Sequence, residues 1–408
     1  MKRMKFGLRR ILTLLAVVLI VAQSGVNVSA KSPVLGSRVE ENAQKVSISD
    51  LGVEDGSLGY DCKSLVLMEA TTGAVLYRQN PDEALPPASV TKIMTLLLVM
   101  EALDAGVVRL DSLVTVSANA ASMGGSQVFL KEGEQMILED LLKSVVIASA
   151  NDAAVALAEY LAGSVESFVS KMNARAAELG MKNTRFENVT GLDDTTEAHL
   201  TSAYDIALMS RALIAHETIL QYSSIWMDSI RDGAFGLTNT NRLVRYYPGC
   251  TGLKTGSTSQ AGFCVSVTAE RDGLSLICVV MGAESRDTRN AIATQALDWG
   301  FANYALYTAP EAALEPIPVT GSTEALCPVT YSSFSCVLAR GEVGRVEAEV
   351  TLPASVAAPV KAGDALGQVC FKVGDRVIGE APVTAVEDLP RIGFFEVLWR
   401  TLARFLLI

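Results

Sequence analysis

The chain has 408 residues, of which 45 are aspartate or glutamate and 34 are lysine or arginine, so its formal net charge is −11 at pH 7. This acidic balance argues against nucleic-acid binding, which needs a basic surface. The chain contains only two histidines and no H-E-x-x-H pattern, which excludes a three-histidine zinc site and the common zinc-peptidase helix.

The N-terminal segment predicts export. Five lysines and arginines among the first ten residues precede an apolar stretch from Ile11 to Ala22. This length suits the hydrophobic part of a signal peptide and is short for a membrane span. Small residues at positions 28–30 form a cleavage site. We therefore assign residues 1–30 to a signal peptide and the polar residues 31–57 to a leader.

The first motif with catalytic potential is Ser89-Val90-Thr91-Lys92. Prolines before it restrict the backbone, and the long apolar run after it, closed by a glycine, indicates a buried helix. Ser89 is thus expected at a helix N-terminus, which favours a developing alkoxide, with Lys92 on the same face. A lysine acts as a base only if burial or a nearby positive charge lowers its pKa. Taken alone, the motif would more often be a helix-capping serine beside a solvated lysine.

A second motif, Ser149-Ala150-Asn151, interrupts another apolar stretch. Hydrophobic residues precede it over 141–148, and an amphipathic helical pattern follows it over 152–161. The motif is therefore predicted in a short loop between two helices. On its own, such a tripeptide is more commonly an ordinary helix cap.

The third motif, Lys254-Thr255-Gly256, has a strand setting. Alternating apolar residues follow it over 263–267, and a second apolar run covers 274–281 after an Asp-Gly turn. This pattern predicts a strand hairpin. Gly256 would let a ligand lie close against the strand backbone. The alternative is a glycine-rich turn with a surface lysine.

The three motifs fall within residues 58–308, where strand patterns at both ends flank a helical middle. After Pro310 the composition changes to short, valine-rich strands broken by glycines, without a helical period. The length of the chain also favours more than one domain. We therefore predict a catalytic domain over 58–308 and a small β domain over 309–389.

Seven cysteines are an odd count for an exported protein. Cys264 and Cys278 lie inside apolar strand patterns and are expected to be buried as small hydrophobic residues. Cys327 and Cys336 could form a disulfide, which the sequence leaves open.

Residues 390–408 predict an amphipathic helix at the C-terminus. Glu396, Arg400 and Arg404 are four residues apart, and large apolar side chains cover most of the opposite side. The segment is too short and too charged to span a bilayer comfortably, so we expect it to lie in the membrane interface. The alternative is a helix that docks on the β domain.

In order and context, the three motifs resemble the S-x-x-K, S-x-N and K-T-G boxes of the penicillin-binding, serine-type D-alanyl-D-alanine carboxypeptidases. The likeness includes residues 87–95, 186–192 and 296–301, and it covers 60–304 closely. It implies an α/β (α+β) penicillin-binding/β-lactamase-like catalytic domain with a helical cluster and an antiparallel sheet. A small all-β domain and a C-terminal amphipathic anchor helix would follow.

The resemblance also implies catalytic roles. Ser89 would attack the carbonyl between the two terminal D-alanines, and Lys92 would take its proton. Ser149 would relay a proton toward the leaving group, while Asn151 would hold the substrate amide and Lys92. The variable middle position of this second box is occupied by a small residue, Ala150.

Binding roles follow from the same resemblance. Lys254 would set the electrostatics of the site, and Thr255, next to Gly256, would help to bind the substrate carboxylate. The backbone N–H groups of Ser89 and Ser257 would form an oxyanion hole. By spacing, Arg289 matches the family arginine that helps to anchor the terminal carboxylate. Arg286 is close enough to be confused with it, and either could instead be a solvated surface arginine.

The resemblance and the N-terminal segment together predict an exported serine D,D-carboxypeptidase on the outer face of the cytoplasmic membrane. It would trim the last D-alanine from peptidoglycan pentapeptide stems, be acylated by β-lactam antibiotics, and need no metal or cofactor. The same acyl-enzyme could serve a D,D-endopeptidase, a transpeptidase or a β-lactamase. However, no Glu-x-x-x-Asn segment between the boxes matches the deacylating glutamate of class A β-lactamases.

Two further alternatives fit the sequence less well. A Ser-His-Asp triad would have to use His199 or His216, and His199 is expected to be structural. A non-catalytic cell-wall binding module could keep this fold, but intact Ser89, Lys92 and Lys254 argue against it.

Overall fold

The structure is a computed structural model that describes residues 58–193, 196 and 198–406. The predicted signal peptide and leader therefore lie outside the described residues. The first part of the described chain mixes strands and helices. Its strands are β1 (Ser64–Glu69), β2 (Val75–Gln79), β3 (Leu113–Thr115), β4 (Gln135–Ile137), β5 (Met227–Ile230), β6 (Phe235–Thr238), β7 (Cys250–Thr258), β8 (Gly262–Arg271) and β9 (Leu274–Ala283). Its helices are α1 (Lys92–Asp104), α2 (Ala118–Ala121), α3 (Leu138–Ile147), α4 (Asn151–Ala162), α5 (Val165–Glu178), α6 (Ala203–Ile214), α7 (Glu217–Ser223), α8 (Leu243–Tyr246) and α9 (Arg286–Asn303).

A five-stranded antiparallel sheet with the order β2-β1-β9-β8-β7 forms the centre of this part. Its two faces pack against different cores, as the alternation in β1 shows. Val66 and Met68 join the core formed with the helical cluster, while Leu65 and Leu67 join the core formed with α9. Because β9 is also buried on both faces, its sequence is a continuous apolar run rather than an alternating one. Burial of each such side chain contributes roughly 1.5–3 kcal/mol to the free energy of unfolding.

Helix α1 lies within the helical cluster. Eight of its thirteen residues are buried, including Lys92 at its first position. Its largely apolar sequence is therefore explained by packing on most sides, as predicted for a buried helix. The helix ends before Gly106, which adopts a left-handed conformation with φ +67°.

The second part of the described chain is a β structure with its own core. Its strands are β10 (Tyr304–Ala309), β11 (Ala312–Thr320), β12 (Leu326–Tyr331), β13 (Phe334–Ala339), β14 (Val346–Thr351), β15 (Val356–Ala357), β16 (Ala365–Val373) and β17 (Arg376–Ala385). Six of these strands form a sheet with the order β14-β16-β17-β12-β11-β15, and β10 pairs with β13. The predicted boundary between residues 308 and 309 falls inside β10.

All seven cysteines are free thiols. Cys327 and Cys336 are both buried in the core of the β part, and no disulfide joins them. Cys264 and Cys278 are buried in strands, as expected from their apolar neighbours.

Helix α10 (Phe394–Leu406) lies near the C-terminus and begins four residues after the start of the predicted segment at residue 390. Several large apolar side chains on it are exposed, with Phe395 82% and Trp399 68% accessible. Arg400 pairs with Glu396 at 3.0 Å, one turn away. Within residues 58–193, 196 and 198–406, no helix is both long and apolar enough to cross a bilayer.

Candidate active site

Ser89 lies in a short 3₁₀ turn, Ala88–Thr91, that leads directly into α1. No side chain caps either this turn or α1, so the helix-capping alternative for Ser89 is wrong. Instead, Ser89 Oγ lies 2.9 Å from Lys92 Nζ. The residue before it, Ala88, has φ +49°, a conformation that L-residues adopt rarely and that the surroundings must stabilise. The turn thus presents the serine hydroxyl to the lysine amine.

Lys92 is fully buried, and its amine is surrounded by three oxygen atoms. Besides Ser89 Oγ, Nζ donates to Asn151 Oδ1 at 2.6 Å and to the Thr190 carbonyl at 2.8 Å. Burial, and next the positive charge of Lys254, lower the pKa of Lys92 well below its usual value, while Asp152 opposes the shift. The neutral amine can donate its two hydrogens to Asn151 and Thr190, which directs its lone pair toward Ser89 Oγ. This is the arrangement that a general base requires.

The second motif lies between α3 and α4, as predicted. Ser149 occupies the turn with φ +63°, and Asn151 begins α4. Asn151 Nδ2 donates to the Gly124 carbonyl at 2.7 Å, which fixes the amide so that its oxygen faces Lys92. Asp152 accepts hydrogen bonds from the N–H groups of Val128 and Leu130. These hydrogen bonds hold residues 128–130, which precede α3, against the second motif.

The third motif lies on β7, at the edge of the central sheet. Lys254 is buried, and its Nζ donates to the Thr255 carbonyl at 2.8 Å. Burial, together with the charge of Arg289, lowers the pKa of Lys254 to about 7. A Cβ atom on Gly256 would lie 2.9 Å from the backbone nitrogen of Ser89. The glycine therefore makes room for the first motif, and its role in admitting a ligand stays a prediction.

A cavity of about 680 Å³ opens where the three motifs meet. Six of the predicted site residues line it, whereas Lys92, Asn151 and Lys254 lie buried behind its wall. Thr255 Oγ1 donates to Thr240 Oγ1 at 2.8 Å, so the wall continues from β7 into the segment before α8. The lining residues are Ser89, Ser126, Ser149, Trp226, Thr238, Asn239, Thr240, Arg242, Tyr246, Thr255, Gly256, Ser257, Arg286 and Arg289.

Arg289 and Arg286 both reach this cavity, but their surroundings differ. Arg289 is 2% exposed, and its guanidinium donates to the Cys264 carbonyl and to Asn290 Oδ1. Arg286 is exposed at the first position of α9. Arg289 is therefore the more rigidly held of the two cations.

His199 does not contact Ser89. Its Nδ1 accepts the N–H of Glu187 at 2.9 Å, so in the neutral ring Nε2 carries the hydrogen and donates to Thr91 Oγ1 at 2.7 Å. Burial lowers the pKa of His199 to about 4, so the ring is neutral at pH 7. The histidine links two loops as expected of a structural residue, and it forms no triad with Ser89.

Several residues of the site have no signal in the sequence motifs. The Thr190 carbonyl belongs to a segment that the family resemblance includes, but only the fold places it against Lys92. Trp226 and Tyr246 come from segments on either side of the β5–β6 hairpin, where no motif occurs. Trp226 and Tyr246 reach the cavity only because the fold brings together residues that are distant in sequence.

Gly191, directly after Thr190, packs against the turn that holds Ser89, and we expect its replacement to destabilise the fold. It has φ +82°, and a Cβ atom there would lie 1.8 Å from the Ala88 carbonyl oxygen. Gly191→Ala should lower the free energy of unfolding by about 2 kcal/mol or more, since the left-handed conformation alone costs about 1–2 kcal/mol. It should also reduce turnover, because Ala88 and Ser89 must move. Thermal unfolding and steady-state kinetics would measure both effects.

Gly180→Ala is the matched control. Gly180 has φ +74°, but a Cβ atom on it would have no other atom within 4 Å. In this variant the free energy of unfolding should fall only by the cost of the left-handed conformation, and turnover should be normal. Equal stability losses in the two variants would contradict the close packing of Gly191 on Ala88.

Known proteins resemble this chain over most of its length. Residues 54–285 match the family model described as D-alanyl-D-alanine carboxypeptidase, and residues 317–391 match the C-terminal domain of penicillin-binding protein 5. The D-alanyl-D-alanine carboxypeptidase DacF of Bacillus subtilis is 42% identical over 358 residues, covering 86% of this chain and 92% of that relative. DacC of Escherichia coli is 35% identical, covering 83% of this chain and 87% of the relative.

Solved structures have the same fold. Penicillin-binding protein 5 of Haemophilus influenzae aligns with a TM-score of 0.72 at 30% identity, covering 81% of this chain and 98% of that one. Penicillin-binding protein D2 of Listeria monocytogenes, solved in an ampicillin-bound form, aligns with a TM-score of 0.56 at 31% identity. The alignment covers 60% of this chain and 99% of the Listeria protein's chain. The predicted fold class, with a helical cluster, an antiparallel sheet and a C-terminal β domain, is confirmed.

Proposed function

This chain belongs to the D-alanyl-D-alanine carboxypeptidase family, and we propose that its acyl-enzyme forms on Ser89 with Lys92 as the general base. It is a serine peptidase that removes the terminal D-alanine from peptidoglycan stems. The observation that carries the assignment of residues is the buried amine of Lys92, which lies 2.9 Å from Ser89 Oγ and is oriented by two other oxygens.

In the acylation step, the neutral amine of Lys92 takes the proton of Ser89 as Oγ attacks the carbonyl carbon of the penultimate D-alanine. The backbone N–H groups of Ser89 and Ser257 stabilise the oxyanion, an effect worth about 3 kcal/mol per donor in other enzymes. The tetrahedral adduct collapses, and the C–N bond breaks. The departing D-alanine amine receives a proton through Ser149.

The terminal carboxylate binds to Thr255 and Arg289. Both line the cavity beside Ser89, and the held guanidinium of Arg289 suits a planar carboxylate. Lys254, whose pKa is lowered to about 7, contributes positive charge behind this wall when its amine is protonated. Water then hydrolyses the ester on Ser89, with Lys92 again taking a proton. β-Lactams imitate the D-alanyl-D-alanine end and acylate the same oxygen.

The direct test of this activity uses a peptide that ends in D-alanyl-D-alanine. Purified protein should release one D-alanine per peptide, and benzylpenicillin should stop the release. A protein that binds the peptide but releases no D-alanine would instead be a binding module.

We also propose that the protein is exported and attached to the membrane surface by helix α10. Five large apolar side chains of this helix have between 49% and 82% of their surface exposed, namely those of Phe394, Phe395, Leu398, Trp399 and Leu402. Burial of each in lipid would contribute very roughly 1.5–3 kcal/mol before ordering costs. Arg400 can reach anionic headgroups from the polar edge of the helix. An interfacial orientation accounts for these exposed side chains better than docking on the β domain.

Removing α10 should release the protein from membranes. A chain that ends at Gly393 keeps the backbone pairing of Arg391 and Ile392 with Ser322 and Gly321, so the β domain should stay folded. We expect the full-length mature chain to pellet with membranes and resist salt extraction, whereas the shortened chain should be soluble with unchanged turnover. Membrane sedimentation and D-alanine release would measure both properties.

A double variant, Phe395→Glu with Trp399→Glu, should behave like the shortened chain, because both side chains are mostly exposed in the structure. Val350→Glu, at an exposed valine of the β domain, is the matched control and should stay on the membrane. If the full-length and shortened chains partition alike, α10 is not the anchor.

A further inference from the structure

Three arginines line the active-site cavity, and none of its lining residues is an aspartate or glutamate. This is unusual for a chain with a formal net charge of −11. The proposed carboxypeptidase reaction accounts for one of these cations, Arg289. Arg242 and Arg286 have no part in it. A cavity with this charge distribution favours a substrate that carries more than one negative charge.

The two additional arginines differ from Arg289 in their surroundings. Arg289 is buried and hydrogen bonded, whereas Arg242 and Arg286 are exposed. Among the residues that the structure describes, neither has an ion pair or a side-chain hydrogen bond. Their guanidinium groups are therefore free to bind an anion that enters the cavity.

The two exposed cations also act on Arg289. After burial, the charges of Arg286 and Arg242 lower the pKa of Arg289 to about 10. Arg242 and Arg286 thus repel Arg289 across the cavity that all three line. An anion that binds these two exposed arginines would relieve this repulsion and leave Arg289 for the terminal carboxylate.

We propose that Arg242 and Arg286 form a second carboxylate site, which selects stem peptides that carry a carboxylate on the N-terminal side of the scissile bond. This inference rests on the proposed function. Arg289 takes the terminal carboxylate, and the two terminal alanines have only methyl side chains. Any second carboxylate must therefore come from the residues that precede them.

The site acts as a specificity determinant rather than in the chemistry. An exposed arginine–carboxylate pair contributes modestly, and two arginines on one carboxylate give a bidentate or shared arrangement. We expect a preference of about tenfold in kcat/KM for a carboxylate over the corresponding carboxamide. Amidation of this carboxylate would then reduce turnover of an otherwise identical stem.

The test uses two pairs of synthetic peptides that end in D-alanyl-D-alanine. In the first pair, the residue directly before the alanines is L-glutamate or L-glutamine. In the second pair, acetyl-lysine takes that place and is preceded by γ-linked D-glutamate or its α-amide. D-Alanine release gives kcat/KM for each peptide. The pair with the larger carboxylate-to-carboxamide ratio identifies the position that the site binds.

The ratio should fall to about one in a double variant, Arg242→Gln with Arg286→Gln, and to intermediate values in the single variants. Arg345→Gln removes the same charge from an exposed position in the β domain and should keep the wild-type ratio. Because both peptides of a pair are cleaved by the same variant, partial loss of folding cancels from the ratio.

Two results would overturn the proposal. Wild-type protein that releases D-alanine from all four peptides without preferring a carboxylate has no such site. A double variant that retains the wild-type preference shows that other groups provide it. Absence of D-alanine release from every peptide would refute the proposed function itself, and the second site with it.

Discussion

Ser89→Ala is expected to abolish D-alanine release and covalent labelling by benzylpenicillin. The variant lacks the oxygen that must bond to the substrate carbonyl, and no other hydroxyl lies within hydrogen-bonding distance of Lys92 Nζ among the described residues. Loss of the nucleophile in other serine peptidases lowers kcat by about 10⁶-fold, so the remaining rate should be at the limit of detection.

The fold should survive this change. Ser89 does not cap a helix, and its hydroxyl interacts with Lys92, which keeps the oxygens of Asn151 and Thr190 as partners. The free energy of unfolding should therefore change by only about 1 kcal/mol. Circular dichroism and thermal unfolding would verify this. Ser126→Ala, at another serine of the cavity wall, is the matched control and should still be labelled. Labelling of Ser89→Ala at a wild-type rate would refute the assignment.

Lys92→Arg is expected to lose acylation almost completely. An arginine stays protonated at any working pH, so it cannot accept the Ser89 proton. The positive charge remains in this variant. Acylation would therefore persist if Lys92 acted only through its charge, and it would be lost if Lys92 acts as a general base. We expect the acylation rate to fall by about 10³-fold or more, consistent with the usual contribution of general bases.

The pH dependence of the acylation rate should also differ between the wild-type protein and Lys92→Arg. Burial and Lys254 lower the pKa of Lys92, so the neutral amine is populated at lower pH than for an ordinary lysine. Acylation of the wild-type protein should therefore decline as the pH falls through this lowered pKa, while Lys92→Arg should stay inactive as the pH rises. Lys143→Arg, at a surface lysine paired with Asp228, serves as the control. An acylation rate for Lys92→Arg within about threefold of wild type would exclude the lysine as base.

Local sequence patterns predicted much of the framework. The apolar run after Lys92 forms a buried helix, the Ser149 tripeptide lies between two helices, and Lys254 lies on a strand of a hairpin. These predictions rest on periodicity and turn residues, which act over a few neighbouring positions. The order of the three motifs resembles that of a known family, and this resemblance predicted that they form one site.

Features that depend on distant contacts were not predictable in this way. Ser89 sits in a 3₁₀ turn rather than at a cap, because Gly256 and Gly191 pack against the backbone of that turn. The Thr190 carbonyl reaches Lys92 across 98 positions of sequence. The predicted domain boundary divides β10, whose pairing with β13 was not visible in composition.

The position of the penicillin adduct identifies the nucleophile most directly. Wild-type protein would be incubated with benzylpenicillin, digested and analysed by tandem mass spectrometry, with Ser89→Ala treated in parallel. We predict one penicilloyl group per chain, on Ser89, and none on the variant. An adduct on any other residue, or penicillin-sensitive D-alanine release without an adduct on Ser89, would contradict the assignment of Ser89 as the nucleophile.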